Sequence, residues 1–179
     1  MTQVGSVYGE ALFDLAKSED LTQQILNEIS TLNESFRQEP DFLRLLGTPD
    51  LTKQERCEIL DNSFRGKVHP YVLNFLKILT EKGYARHFND CCGAYRQRYN
   101  EDNGILPVTA VTAIALSPEQ SGKLAEKLAA ITGKTIDLTN RSDPNILGGG
   151  RLDYSCKQLD DTVSHRLESV RNLLKNTLL

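Results

Sequence analysis

The sequence predicts a mainly α protein in two parts: an N-terminal six-helix bundle over residues 1–104, then a small α+β domain over residues 105–179. Three observations carry this. Up to Gly104 the apolar residues recur at helical spacing, in blocks separated by proline and glycine. At Gly104 the texture changes to the β-branched run ILPVTAVTAIAL, Ile105 to Leu116. Near the end the period switches again, with Leu159, Val163, Leu167, Val170, Leu174 and Leu178 three or four positions apart along one helical stripe.

The first helix is marked by Val4, Val7, Tyr8, Ala11, Leu12, Leu15 and Ala16, with Glu10 and Asp14 facing the other way. A second runs from about Leu21 to Gln38 on the stripe Leu21, Ile25, Ile29, Leu32 and Phe36; Asp20 is its expected N-cap, with Gln23 completing a capping box. Pro40 opens a short third helix that should bury Phe42, Leu45 and Leu46 and stop at Gly47. Thr52 and Glu55 form a capping box for a fourth, carrying Ile59, Leu60 and Phe64 and ended by Gly66. Pro70 opens a fifth, with Val72, Phe75, Leu76 and Leu79, and Gly83 closes it. The sixth spans about Ala85 to Asn103, with Phe88, Cys92, Tyr95 and Tyr99. Short loops between amphipathic helices make a bundle.

Beyond Gly104 the expected order is strand, helix, strand, strand, then a final helix. Ser117, Pro118 and Gln120 supply N-cap, first-turn proline and capping-box partner for a helix bearing Leu124, Leu128 and Ile131, capped by Gly133. Lys134 to Thr139 alternates as a second strand, Ile146 to Tyr154 reads as a third, and a short fourth includes Leu159. Asp160 and Asp161 suit the positive end of the last helix, and Lys175 its negative end.

Several function classes are disfavoured. The net charge is −3, which gives a nucleic-acid partner no electrostatic support. No apolar run approaches the roughly 20 residues that span a bilayer, and MTQVGSVYGE has neither the basic nor the apolar region of a secretory signal. Cys57, Cys91, Cys92 and Cys156 fit no zinc-finger or redox spacing, so free thiols in a reducing cytoplasm are expected. His87 and Cys91 are one helical turn apart but lack a third ligand, so no metal is expected. Gly148, Gly149 and Gly150 precede a strand and no Lys-Ser/Thr follows, which is no phosphate loop. No nucleophile elbow occurs, and no cofactor or catalytic residue is expected.

The run Asp143-Pro144-Asn145-Ile146-Leu147-Gly148-Gly149, a short strand, then Leu159-Asp160-Asp161-Thr162-Val163 with Arg166-Leu167 behind it resembles the C-terminal signature of the δ subunit of F-type ATP synthases. The mitochondrial counterpart is the oligomycin-sensitivity-conferring protein. Tyr8 to Ala16 (YGEALFDLA) resembles that family's opening helix, where Tyr-Ala-x-Ala-Leu-Phe is common, and Leu79 to Tyr84 resembles its centre. The chain departs at Ser155-Cys156, where the family usually has Gly-Asp, and at Thr162, where it usually has Ser.

The resemblance implies a non-catalytic peripheral-stalk (stator) subunit that resists rotary torque during proton-driven ATP synthesis. It would be present once per complex, on the cytoplasmic face of the cell inner membrane, and membrane-associated through the complex alone. The bundle would bind α-subunit N-terminal helices between its first and fifth helices, at Val4, Tyr8, Leu12, Leu15, Leu76 and Leu79. The α+β domain would bind the end of the b subunits through Val163, Leu167, Val170 and Leu174. A reading from another class is a small cytoplasmic ligand-binding regulator or enzyme using the C-terminal mixed domain; the lack of clustered His, Asp, Glu or Ser motifs speaks against it.

Overall fold

The computed structural model describes residues 2–48, 51–144, 146, 149–154 and 157–160. Six α-helices come first: α1 (Gln3–Ser18), α2 (Thr22–Gln38), α3 (Pro40–Gly47), α4 (Lys53–Phe64), α5 (Pro70–Glu81) and, after a 3-10 turn over Ala85–His87, α6 (Phe88–Asp102). Then come β1 (Ile105–Thr112), α7 (Pro118–Thr132), β2 (Thr135–Ser142), β3 (Gly150–Tyr154) and β4 (Lys157–Asp160). The chain divides into two compact units between Tyr99 and Asn100.

Local chemistry sets most helix ends. Thr2 caps α1 by accepting from the Gly5 N–H. Thr52 and Glu55 form the reciprocal capping box of α4, and Ser117 and Gln120 that of α7. His69 caps α5, its ring nitrogen accepting from the Tyr71 N–H ahead of Pro70. The start of α2 departs from expectation. Asp20 is not its cap: Leu21 holds that position with no side-chain bond. Asp20 sits instead at φ 56°, in the left-handed position that closes α1. Its N–H donates to the Lys17 carbonyl at 3.3 Å, and the Leu21 N–H to the Ala16 carbonyl at 2.8 Å. That pair of bonds is a Schellman closure, and aspartate tolerates the left-handed conformation better than most residues. The N-terminus of α2 is bound from α6 instead: the Tyr95 hydroxyl donates to the Thr22 carbonyl at 2.9 Å, and the Tyr99 hydroxyl to the Gln23 side chain.

The helical stripes meet in one core. It holds Leu12, Phe13 and Ala16 of α1, Ile25, Ile29, Leu32 and Phe36 of α2, and Val72, Phe75, Leu76 and Leu79 of α5. Phe88, Cys91, Cys92 and Tyr95 of α6 join it, as do Leu46 of α3 and Leu60 of α4. At one end the Phe36 ring stacks on Phe42 at 5.5 Å and meets Phe64 and Phe88 edge-on at 6.0 and 5.2 Å. Leu45, expected inside, is 43% exposed. Phe42 and Leu46 share the inward side of α3, and Leu45, one position from Leu46, is turned about 100° away.

In the second unit the sheet order is β2-β1-β3-β4. β1 pairs in parallel with β2, from Ile105↔Thr135 to Thr112↔Ser142, with α7 as the crossover. β3 pairs antiparallel with β1 and with β4. Leu106, Val108, Ala110 and Val111 of β1 are buried. Two strands are shorter than the sequence suggested. β1 stops at Thr112, whose hydroxyl donates to the Ile114 carbonyl at 2.7 Å and bends the chain, leaving Ile114 83% exposed. β3 is described over Gly150–Tyr154; at Ile146, where the expected strand began, the N–H turns back to the Asp143 carbonyl at 3.1 Å, and Leu147 and Gly148 lie outside the described residues. Ile131, expected on the packed stripe of α7, is also exposed, while Leu124 and Leu128 are half-buried.

Candidate functional site

The residues expected to line a partner groove separate into two sets. Leu12, Leu76 and Leu79 are buried in the unit's own core, at 4%, 3% and 0% exposure. They do not face outward, because each lies on the side of its helix that meets the other core helices. Val4 and Tyr8 are half-buried, and Leu15 is exposed. Two exposed apolar residues were not among those expected to line the groove: Val7 on α1, 60% exposed, and Ile78 on α5, 46% exposed. Val7, Ala11 and Leu15 recur at a spacing of four, and all three are exposed, so the outer face of α1 carries its own apolar strip. The sequence held that signal: α1 has apolar residues on two adjacent stripes, wider than one buried face needs.

α1 is placed by close contacts at its start. The Thr2 N–H and hydroxyl both donate to Asp90 Oδ2 on α6, at 3.2 and 2.7 Å. Those bonds hold the Asp90 carboxyl below the usual carboxylate range, with the chain's amino terminus and His87 adding to the effect. Farther along, the Tyr8 ring lies 5.9 Å from that of Tyr84. Tyr84 follows the Schellman closure of α5, in which Gly83 takes φ 75° and the Tyr84 N–H donates to the Leu79 carbonyl at 2.7 Å. Tyr8 therefore stands beside the end of α5. Val7 and Leu15 on α1, and Ile78 on α5, are each left exposed.

Catalytic chemistry finds little support among the described residues. Cys57, Cys91 and Cys92 are free thiols. Burial pushes Cys91 up to about 11 and Cys92 up to about 12, so both stay protonated and unreactive at neutral pH. No three His, Cys, Asp or Glu side chains converge among the described residues as a metal would require. His87, expected to share a face with Cys91, turns its ring toward Thr2 and Asp90. An open cleft of about 570 Å³ between α7 and β2 is lined by Ala125, Ala129, Ile136, Glu126 and Lys134, with no nucleophile beside a base. No helix among the described residues is long and apolar enough to cross a membrane. Val163, Leu167, Val170 and Leu174, expected on the b-subunit side, lie outside the described residues.

The described residues thus form a helical unit followed by a small mixed unit. The profile of the ATP synthase delta (OSCP) subunit matches residues 4–174. The chain belongs to that family. A protein of Alkaliphilus oremlandii (strain OhILAs) named ATP synthase subunit delta is 31% identical over 176 residues, 98% of each chain. One of the same name from Lactobacillus gasseri is 31% identical over 173 residues, covering 96% of this chain and 94% of its own. A chloroplastic one from Ochrosphaera neapolitana is 26% identical over 175 residues. In fold, the chain is similar to one in the cryo-EM structure of the Toxoplasma gondii mitochondrial ATP synthase hexamer, with a TM-score of 0.77 at 18% identity over 97% of this chain and 98% of that one. As a δ-family member, the chain is a non-catalytic peripheral-stalk subunit of an F-type ATP synthase, and so part of a membrane-bound complex.

Proposed function

We propose that this δ-family chain ties the catalytic head to the stalk by holding a partner helix on each of its two units. Residues 1–104, as a six-helix bundle, take the N-terminal helix of an α subunit. Residues 105–179 take the C-terminal end of the b subunits, with Val163, Leu167, Val170 and Leu174 as the contact. One copy serves each complex, on the cytoplasmic face of the inner membrane, and the complex alone holds it there.

The observation that supports this most is that Val7 and Leu15 on α1 and Ile78 on α5 are exposed, with Val4 and Tyr8 half-buried. An amphipathic helix laid in an apolar groove is a recurring recognition mode. Full burial of a Val, Leu or Ile side chain contributes about 1.5–3 kcal/mol. The three are 40–60% exposed, so a substantial part of that gain is still open to a partner. Glu10 and Asp14 are exposed on the same helix and complement a partner with basic residues beside its apolar ones. A stator needs slow dissociation more than fast capture, and well-packed apolar contacts act chiefly on the off-rate.

The test is calorimetric titration of the full chain with a synthetic α-subunit N-terminal peptide. Leu15→Asp combined with Ile78→Asp is expected to weaken binding about 100-fold or more, since each places an unpaired charge in the contact, with far-UV circular dichroism unchanged. Wild-type affinity in that variant would move the partner to another face.

A further inference from the structure

β2 is an outer strand of its sheet, and among the described residues it pairs with β1 alone. The Thr135 N–H donates to the Gly104 carbonyl at 3.0 Å, and the Asp143 N–H to the Thr112 carbonyl at 2.9 Å. Backbone groups alternate sides along a strand, so the odd-numbered residues of β2 are spent on β1. The N–H and C=O groups of Ile136, Leu138, Asn140 and Ser142 point outward. Thr135–Ser142 holds no proline, and its register with β1 runs unbroken. Such an edge is a template for another strand.

The charges on β2 say which strand fits. Asp137 and Arg141 are both exposed. Four positions apart on a strand, they stand about 13 Å from each other, too far to pair within one chain. Among the described residues neither has an ion-pair partner. An antiparallel neighbour bonds outward residues to outward residues, so even numbers must face even numbers when β2 meets a second β2. With the two-fold axis at Thr139, Leu138 meets Asn140 and Ile136 meets Ser142 as hydrogen-bonded pairs. Asp137 then lies directly opposite Arg141, on both sides of the axis. Centring the contact on Leu138 sets Asp137 against Thr139 instead, and centring it on Asn140 sets Asp137 against Asp143, a like charge.

We propose that the unassembled chain pairs with a second copy of itself, β2 edge to β2 edge, antiparallel and centred on Thr139. The self-complementary charges select that occupant, since opposite charges facing each other across strands stabilise and like charges destabilise. A second observation agrees. Ile114 and Ile131 are the most exposed large apolar side chains described, at 83% and 81%. Ile114 lies just past the end of β1 and Ile131 just before β2. These strands are parallel, so the two isoleucines lie at opposite ends of the sheet. Antiparallel pairing carries the partner's Ile131 to the end at which Ile114 lies. An edge that meets itself closes after two copies and grows no fibre. A contact one strand long falls short of the roughly 1,200 Å² of stable complexes, so the pairing is reversible. It concerns the chain outside its complex and rests neither on the α1 strip nor on the b-subunit contact.

The experiment is sedimentation equilibrium of the full chain from about 5 to 500 μM, where a reversible monomer–dimer equilibrium with a Kd of about 10–100 μM is expected. Asp137→Arg and Arg141→Asp each set like charges against each other on both sides of the axis. Each should weaken pairing about tenfold or more, with circular dichroism unchanged because both side chains are exposed. An equimolar mixture of the two variants is expected to associate within about threefold of the wild-type Kd, since each chain then carries the complement of the other. Raised salt should weaken the wild-type dimer. Leu15→Asp should leave it unchanged, separating this edge from the α1 strip. A wild-type chain that stays monomeric throughout, single variants that pair as well as wild type, or a mixture that stays monomeric would overturn the proposal. Loss of the dimer in Leu15→Asp would overturn it in favour of a contact through α1.

Discussion

Replacing Gly9 by valine is expected to unfold most of the helical unit, and replacing it by alanine to cost it about 2 kcal/mol. A Cβ on Gly9 would lie 2.4 Å from the Cys91 carbonyl oxygen and 2.8 Å from Ala94 Cβ. One on Gly5 would lie 2.5 Å from Asp90 Cβ. The obstructing atoms are the backbone of α6 and its first side-chain carbons, which cannot swing aside. The two glycines are four apart, on one face of α1, so α1 and α6 approach there at backbone distance. Alanine in place of glycine would normally favour a helix by about 1 kcal/mol. Here that gain is outweighed, because α1 must move off α6 and loosen Leu12, Phe13 and Ala16 in the core. Valine adds two further methyl groups and exceeds what a unit of ordinary stability can absorb. Gly122 in α7 has open space around it. Gly122→Ala should therefore show only the propensity term, a gain of up to about 1 kcal/mol for the α+β unit. Urea unfolding followed by circular dichroism separates the two outcomes. Wild-type stability in Gly9→Ala would mean that α1 does not lie so close to α6.

The second large effect is expected at Phe36. Its side chain is 5% exposed, and its ring is where α2, α3, α4 and α6 meet, through Phe42, Phe64 and Phe88. Truncating a buried phenylalanine to alanine costs about 3–5 kcal/mol, from lost transfer energy and the cavity left behind. Each aromatic pair adds about 0.5–1.5 kcal/mol to what burial alone provides. The loss falls hardest on α3 and α4, whose fully buried residues are Leu46 and Leu60. Phe36→Ala should lower the denaturation midpoint of the helical unit with little change in slope, and Phe36→Leu should lose about half as much. A loss below about 1 kcal/mol would mean that the cluster is not where these helices are held.

How much of this was legible in the sequence depends on the range of the interaction. The capping boxes Thr52–Glu55 and Ser117–Gln120 could be read residue by residue, because a cap is decided within four positions. Gly133, at φ 67°, and Gly83 end their helices for equally local reasons. Asp20 was misread because its conformation belongs to the closure of α1, which its carboxylate does not reveal. Leu45 and Ile114 were misplaced because apolar identity cannot say whether a facing surface exists. The same limit explains the partner strip. Leu12 and Leu15, or Leu79 and Ile78, are equivalent as letters. Which of Leu12 and Leu15 is covered is decided by how α1 seats on α6 at Gly5 and Gly9, a long-range contact with no local signature.

The most direct measurement is sedimentation of three components together: a catalytic head depleted of this subunit, a soluble form of the b subunits, and the full chain. The expected result is a ternary complex that forms when the chain is added and is absent without it. Association of head and b subunits to the same extent with the chain omitted, or a chain that holds either partner but never both at once, would contradict a connector gripped on both units.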